Sequence, residues 1–303
     1  MRLSDFPVYL GVSEREFKDK VDSLFDILNS CTLCGHECKV DRIYERGVCD
    51  SGMNIKISSI FPHFGEEPPL VGTHGSGTIF LSNCNCKCVY CQNFHISHLG
   101  EGKETSKEDI VGKMIYLQKI GCHNVNWVSP THFAPQLVES LFIARERGFK
   151  LPVVYNTGGY DSPDLIKTLE GIIDIYMPDI KYGNNKNGLK YSGIKGYWDI
   201  VRSSVKEMHS QVGDLMVDNC GIAKRGLIIR HLVLPGNVAG SEEVLKFIAD
   251  GVSRNSYVNI MNQYMPYFRA LEYKELGREI TPREYINVLN KAKELGLSRA
   301  LSR

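Results

Sequence analysis

The stretch Gly75–Asn93, GSGTIFLSNCNCKCVYCQN, decides how this sequence folds. Its first half, GTIFLSNC, is rich in β-branched and aromatic residues and reads as a strand. Gly75-Ser76-Gly77 leads into it and permits close backbone approach. Its second half crowds thiols into the loop at the strand's carboxyl end. Cys84, Cys88 and Cys91 are spaced C-x3-C-x2-C, with Cys86 as an extra cysteine. Thiolates this close in sequence converge only around a soft metal or cluster, and are reactive when left bare.

Beyond this stretch, strand and helix patterns alternate. VNWVSP, LPVVYN, IIDIYMP, GLIIRHLVLP and SYVNIMNQY read as five further strands. Helices are predicted around Lys107–Ile120, Pro135–Arg147, Pro163–Leu169 and Glu242–Asp250. Six strands with crossover helices predict an α/β fold, a parallel sheet curled as a partial (β/α)6 TIM-like barrel. Pro130, Gly158, Pro178 and Pro235 stop their strands at one edge. The chemistry of such folds lies at the carboxyl ends of the strands, so the Cys84–Cys91 loop sits on the reactive face.

Ahead of the barrel stands a second group, Cys31, Cys34, Cys38 and Cys49, spaced C-x2-C-x3-C-x10-C. Residues 1–60 are predicted as a small cysteine-rich module, and residues 61–303 as the barrel with C-terminal helices. The module includes an amphipathic helix near Ser13–Leu28, with Ser13 as N-cap and Glu16 three residues later. Four thiols are enough to close a site fully, and their spacing suits either structural zinc or an auxiliary iron–sulfur cluster. His36 reads as a solvated loop histidine or as a substitute for one of the four ligands, and the isolated Cys122 and Cys220 as small buried hydrophobes. Glu66 and Glu67, before Pro68-Pro69, fit either a contact to substrate or a neighbouring module, or a solvated charged loop.

Composition narrows the classes. The chain has 303 residues, 43% hydrophobic and 23% charged, which excludes disorder and coiled coil. A formal charge of +1 gives no electrostatic case for nucleic acid or an anionic membrane. No apolar run approaches the roughly 20 residues of a membrane helix. MRLSDFPVYLGVSEREF lacks the pattern of a signal peptide, so a cytoplasmic location is expected. Ten cysteines in a reducing compartment point to metal or redox chemistry rather than disulfides.

The C-x3-C-x2-C spacing at a strand end resembles the radical S-adenosylmethionine (SAM) superfamily. HFGEEPPLVGTHGSGTIFLSNCNCKCVYCQN is similar to the pyruvate formate-lyase activating enzyme group and its GEEPPLVG-bearing relatives, over roughly residues 30–265. The resemblance implies a radical SAM oxidoreductase with a 4Fe–4S cluster held by Cys84, Cys88 and Cys91, whose open iron chelates SAM. One electron then splits SAM into methionine and a 5′-deoxyadenosyl radical that abstracts hydrogen from substrate. It implies that Tyr90 lies against the adenine. Asp179 of IYMPDIKYG would bind the ribose, while Lys181 and Arg230 of GLIIRHLVLPGN would meet the methionine carboxylate. It also implies a flavodoxin- or ferredoxin-like electron donor and a glycyl-radical enzyme as protein substrate. Radical modification of a metabolite or peptide fits the same residues. A non-catalytic iron–sulfur carrier or zinc-braced binding protein is the alternative from another class.

Arg230 is notable without any resemblance, since it interrupts a strand expected to be buried. His231, on the opposite face, reads as structural. Asn156 and Thr157 of NTGGYDS reach the same rim as cofactor-binding or turn residues. Two departures from the activating enzymes stand out. Their glycine-rich G-G-E segment is replaced by VNWVSPTHF, offering Ser129, Thr131 and His132. The histidine near their sixth strand is replaced by Asn262, Gln263 and Tyr264.

Overall fold

The computed structural model describes residues 7–302. Their strands are β1 (Lys56–His63), β2 (Ser76–Leu81), β3 (Lys103–Glu104), β4 (Val125–Val128), β5 (Val153–Thr157), β6 (Ile175–Pro178), β7 (Met216–Val217), β8 (Ala223–Leu232), β9 (Tyr257–Met261) and β10 (Ala300–Ser302). Their α-helices are α1 (Glu14–Asp26), α2 (Pro68–Val71), α3 (Phe94–Ser97), α4 (Lys107–Lys119), α5 (Ala134–Glu146), α6 (Pro163–Thr168), α7 (Asn185–Ser192), α8 (Tyr197–Val212), α9 (Ser241–Gly251) and α10 (Pro282–Glu294).

The six expected strands, β2, β4, β5, β6, β8 and β9, lie side by side in that order, all parallel. β10 adds a further parallel strand beyond β9. At the other edge β1 pairs antiparallel with β2, and β3 with β1. The sheet path therefore runs from β10 to β3 and forms a partial barrel. β1 is hidden in the sequence because KISSIFPH carries a proline and no clean alternation of burial.

Two cores follow from the period-2 alternation of the strands. Trp127, Tyr155, Tyr176, Ile229 and Ile260 belong to the large core that also takes in the helices. Val154, Ile175, Met177, Ile228 and Tyr257 form a second core with Leu70 of α2. That second set is the barrel interior. Two residues further along the same inward faces come Asn156, Asp179, Arg230 and Asn259, so the apolar floor gives way to a polar layer at the strands' carboxyl ends.

The expected helix near Ser13–Leu28 is α1, and Ser13 Oγ accepts from Glu16 N–H at 3.2 Å. Ser13→Ala is expected to cost about 1 kcal/mol, read from urea unfolding. Buried Asp174 ties the N-terminal segment to the barrel: its carboxylate accepts from Val8 N–H at 2.7 Å and Val153 N–H at 2.9 Å. Burial pushes its carboxyl up to about 7. The folded protein thus holds this proton more tightly than the unfolded chain, whose Asp titrates near about 4. The contribution to stability is full below that lower value and is lost as pH rises toward about 7. Carbon-13 titration of the Asp174 carboxyl should give a midpoint near neutrality; a midpoint near that of a free aspartate would overturn this.

The cysteine-rich stretch lies against the barrel. Cys34 forms an antiparallel bridge with Asp161, and Ser162 N–H donates to Leu33 O at 3.1 Å. Cys122 is buried as expected, whereas Cys220 is exposed in the turn whose N–H donates to Asp218 Oδ1. Glu66 and Glu67 are also not a solvated loop: they are 7% and 3% exposed.

Candidate active site

The loop after β2 is turned by Asn83, whose positive φ of 69° is tolerated by asparagine. Asn83 N–H donates to Ile96 O at 2.7 Å, which closes the loop over α3. Within it each sulfur has its own polar neighbour. Cys86 N–H donates to Cys84 Sγ at 3.3 Å, and Ser192 Oγ donates to Cys88 Sγ at 3.0 Å. Ser97 Oγ stands 3.1 Å from Cys91 Sγ. Ser129, whose φ is 58°, brings its Oγ to 4.0 Å from Cys84 Sγ. Burial pushes the Cys88 thiol up to about 12 and also raises Cys91. A hydrogen bond with Cys86 pulls Cys84 down. Ligation of soft metal displaces such protons, since thiolate is the ligand form. Among the described residues no three His, Cys, Asp or Glu side chains stand at the spacing of a single bound metal ion.

Across from the thiols, the ends of β5, β6 and β8 build one ion network. Arg230 Nε and Lys181 Nζ each meet an oxygen of Asp179 at 2.7 Å. Arg230 also donates to Asn156 Oδ1 at 2.7 Å and lies 3.7 Å from Glu66 Oε2. Burial alone would raise Asp179, but Arg230 and Lys181 more than offset it and hold the carboxyl below its usual range. Tyr197 fixes the turn, accepting from Lys181 N–H at 2.7 Å and donating to Asp179 O at 3.1 Å. A cleft of about 230 Å³ lies between thiols and network, lined by Cys88, Cys91, Tyr90, Asp179, Lys181 and Arg230 among others.

Tyr90 is buried, with edge contacts to Tyr182 and Tyr264. Of the three residues after β4, only Ser129 approaches the thiols. Thr131 and Thr157 donate instead to buried Asp161, at 2.7 and 2.6 Å. His132 Nε2 donates to Ser82 O, and burial lowers it to about 3. After β9, Gln263 and Tyr264 line the cleft. Asn262 is exposed and outside that lining. His231 is structural as expected, wedged between Ile180 O at 2.7 Å and Ser241 Oγ at 2.9 Å.

Some neighbours left no trace in local sequence. Ser192 reaches Cys88 from α7, 104 positions away. Glu67 Oε1 accepts from Asn259 Nδ2 at 2.9 Å inside the barrel.

A profile of the radical SAM superfamily matches residues 78–222, from β2 through the Asp179–Lys181 turn. An uncharacterised protein of Methanocaldococcus jannaschii is 34% identical over 92% of this chain and 78% of its own length. The chain belongs to the radical SAM superfamily. Pyruvate formate-lyase-activating enzyme of Clostridium pasteurianum is a more distant relative of this radical SAM protein, 24% identical over 79% of the chain and 95% of that enzyme. Solved structures share the fold. Methylornithine synthase matches with TM-score 0.51 at 15% identity, over 99% of this chain and 78% of that one. A radical SAM methyltransferase from Sphaerobacter thermophilus also gives 0.51, at 12% identity. That match covers 75% of this chain and 65% of the methyltransferase, less than two thirds of its length. Membership carries with it an enzyme that uses a 4Fe–4S cluster and SAM. The donor set suits a cluster with an open corner: three thiols with separate hydroxyl or amide neighbours, facing a wall of paired charges that includes Lys181 and Arg230. No helix among the described residues is long and apolar enough to cross a membrane.

Proposed function

We propose that Cys84, Cys88 and Cys91 hold the cluster, and that the cleft beside them binds SAM. When bound, the cluster supplies the electron that cleaves SAM reductively to a 5′-deoxyadenosyl radical. Lys181 and Arg230 orient the methionine carboxylate, Asp179 and Asn156 accept from or position polar groups of the nucleoside, and Tyr90 packs against the adenine. Tyr90, Tyr264 and Met261 narrow the cleft and limit water around a reactive species. The observation that carries this reading is the charged network at three strand ends, facing the thiols across one cleft. A non-catalytic electron carrier or a zinc-braced binding protein has no use for that network.

The radical abstracts hydrogen from a substrate, and the similarity to an activating enzyme favours a glycine of a partner protein. Fold and cofactor alone do not determine the substrate, so label transfer is the test. Wild-type protein with dithionite and SAM under anaerobic conditions is expected to form 5′-deoxyadenosine. Deuterium from a glycine-labelled glycyl-radical enzyme is expected in that product. Product without label from any such partner would favour a metabolite or peptide substrate, and no product would refute the radical reading.

A further inference from the structure

We propose that Cys31, Cys34, Cys38 and Cys49 hold a second iron–sulfur cluster, which passes single electrons to the Cys84–Cys88–Cys91 site; this rests on the reading of that site as a cluster. Three features carry it.

The first is an uncompensated cation. Arg42 is 1% exposed, and its Nη1 donates to Cys31 Sγ at 3.6 Å. Its Nη2 donates to two backbone carbonyls, Gly52 O at 2.7 Å and His132 O at 3.1 Å, and its Nε has no partner. A guanidinium taken out of water without an anion is costly. Neutral thiols cannot balance it. Four thiolates on a metal centre leave a net negative charge, and that charge would.

The second is space. A Cβ on Gly47 would sit 3.2 Å from Cys38 Sγ and 3.4 Å from Cys49 Sγ. Both sulfurs therefore crowd one bare patch of backbone. Arg42 Cδ lies 4.0 Å from that same point, and its Nη1 reaches Cys31 Sγ, so Cys31 borders the same side chain. Cys31, Cys38 and Cys49 thus gather around the Arg42 side chain, with Cys34 three residues along from Cys31.

The third is position, and it favours a redox role over a brace. Asn85, inside the Cys84–Cys91 loop, touches both segments: its Oδ1 lies 3.9 Å from Cys84 Sγ, and its Nδ2 shares Tyr160 O with the N–H of Gly35, the residue after Cys34. His36 is not a solvated loop histidine, because its Nε2–H donates to Asn85 O at 2.8 Å. The same ring meets Tyr160 edge-on at 5.1 Å, and Asn85 Nδ2 donates to Tyr160 O at 3.2 Å. One residue thus spans the gap between the two sets. The electron would come from a reduced flavin or iron–sulfur protein. The second cluster gains it and then loses it to the first, with no bond or proton transferred.

The test uses the full chain, reconstituted anaerobically, with iron, sulfide and zinc counted per chain. The wild type is expected to hold about eight irons, against about four in a Cys84→Ala/Cys88→Ala/Cys91→Ala variant and in Cys31→Ser/Cys34→Ser. Dithionite should give the first variant a paramagnetic signal indifferent to SAM, and the second a signal that SAM shifts. With a reduced protein donor, Cys31→Ser/Cys34→Ser is expected to take up its electron at least tenfold more slowly than wild type. An iron-free or zinc-loaded triple variant overturns the second cluster, and it decides the matter even if the double variant fails to fold. Equal reduction rates overturn the relay. If SAM shifts no signal while the triple variant keeps about four irons, the reading of the first site fails and the second metal centre stands.

Discussion

Cys88→Ala is expected to abolish 5′-deoxyadenosine formation and to remove about four irons while leaving the barrel folded. Cys88 is 6% exposed and stands at the inner end of the loop, where Ser192 Oγ donates to it. Loss of one of three thiolates leaves too few ligands for a cluster that must keep a free corner for SAM. Cys86, whose thiol hydrogen-bonds Cys84, is the obvious substitute, but its sulfur is wedged against the turn after β5. It lies 2.9 Å from where a Cβ on Gly158 would sit, beside the Lys181 stem at 3.5 Å from that point. Cys86→Ala is accordingly expected to keep its iron and its product, at a packing cost of about 1 kcal/mol. Iron content and product by chromatography check both variants. Full activity in Cys88→Ala, or loss of iron in Cys86→Ala, would exchange the two assignments.

Arg230→Met is expected to weaken SAM binding at least tenfold and to destabilise the protein by about 3 kcal/mol. The low end of the range for a broken buried pair applies, since Arg230 and Asp179 keep 17% and 20% exposure. Removal of the guanidinium leaves Asp179 with Lys181 alone and takes a cation away from Glu66. It also frees Asn156 Oδ1. Arg230→Lys is expected to rescue stability in part and binding little, because an ammonium cannot serve Asp179, Asn156 and a carboxylate at once. Equilibrium dialysis of SAM and urea unfolding separate the two effects. Unchanged dialysis with lowered stability would make the network purely structural.

Local pattern carried much of the architecture. GTIFLSNC, VNWVSP, LPVVYN, IIDIYMP, GLIIRHLVLP and SYVNIMNQY each contain a strand, since runs of this kind pack well in a sheet buried on both faces. Ser13, Ser106 and Ser162 mark helix starts by capping the backbone. Arg230 betrayed itself as a charge in an apolar strand, and Asp179 and Lys181 as a motif beyond one. β1 stayed hidden behind Pro62. The burial of Glu66 and Glu67 is not legible in the local sequence, because it depends on Arg230 and Asn259 arriving from the far side of the barrel.

The amino-acid sequence by itself determined the parallel α/β barrel, the position of the Cys84–Cys91 loop at a strand end and the two cysteine spacings, because these follow from residue type and short-range period. Only the tertiary structure decided what each thiol faces: Ser192 against Cys88, Arg42 against Cys31, and Asn85 between the two sets. Such contacts join segments far apart along the chain. Periodicity says which face is apolar, whereas the packing of distant elements says which polar group is left beside a buried sulfur.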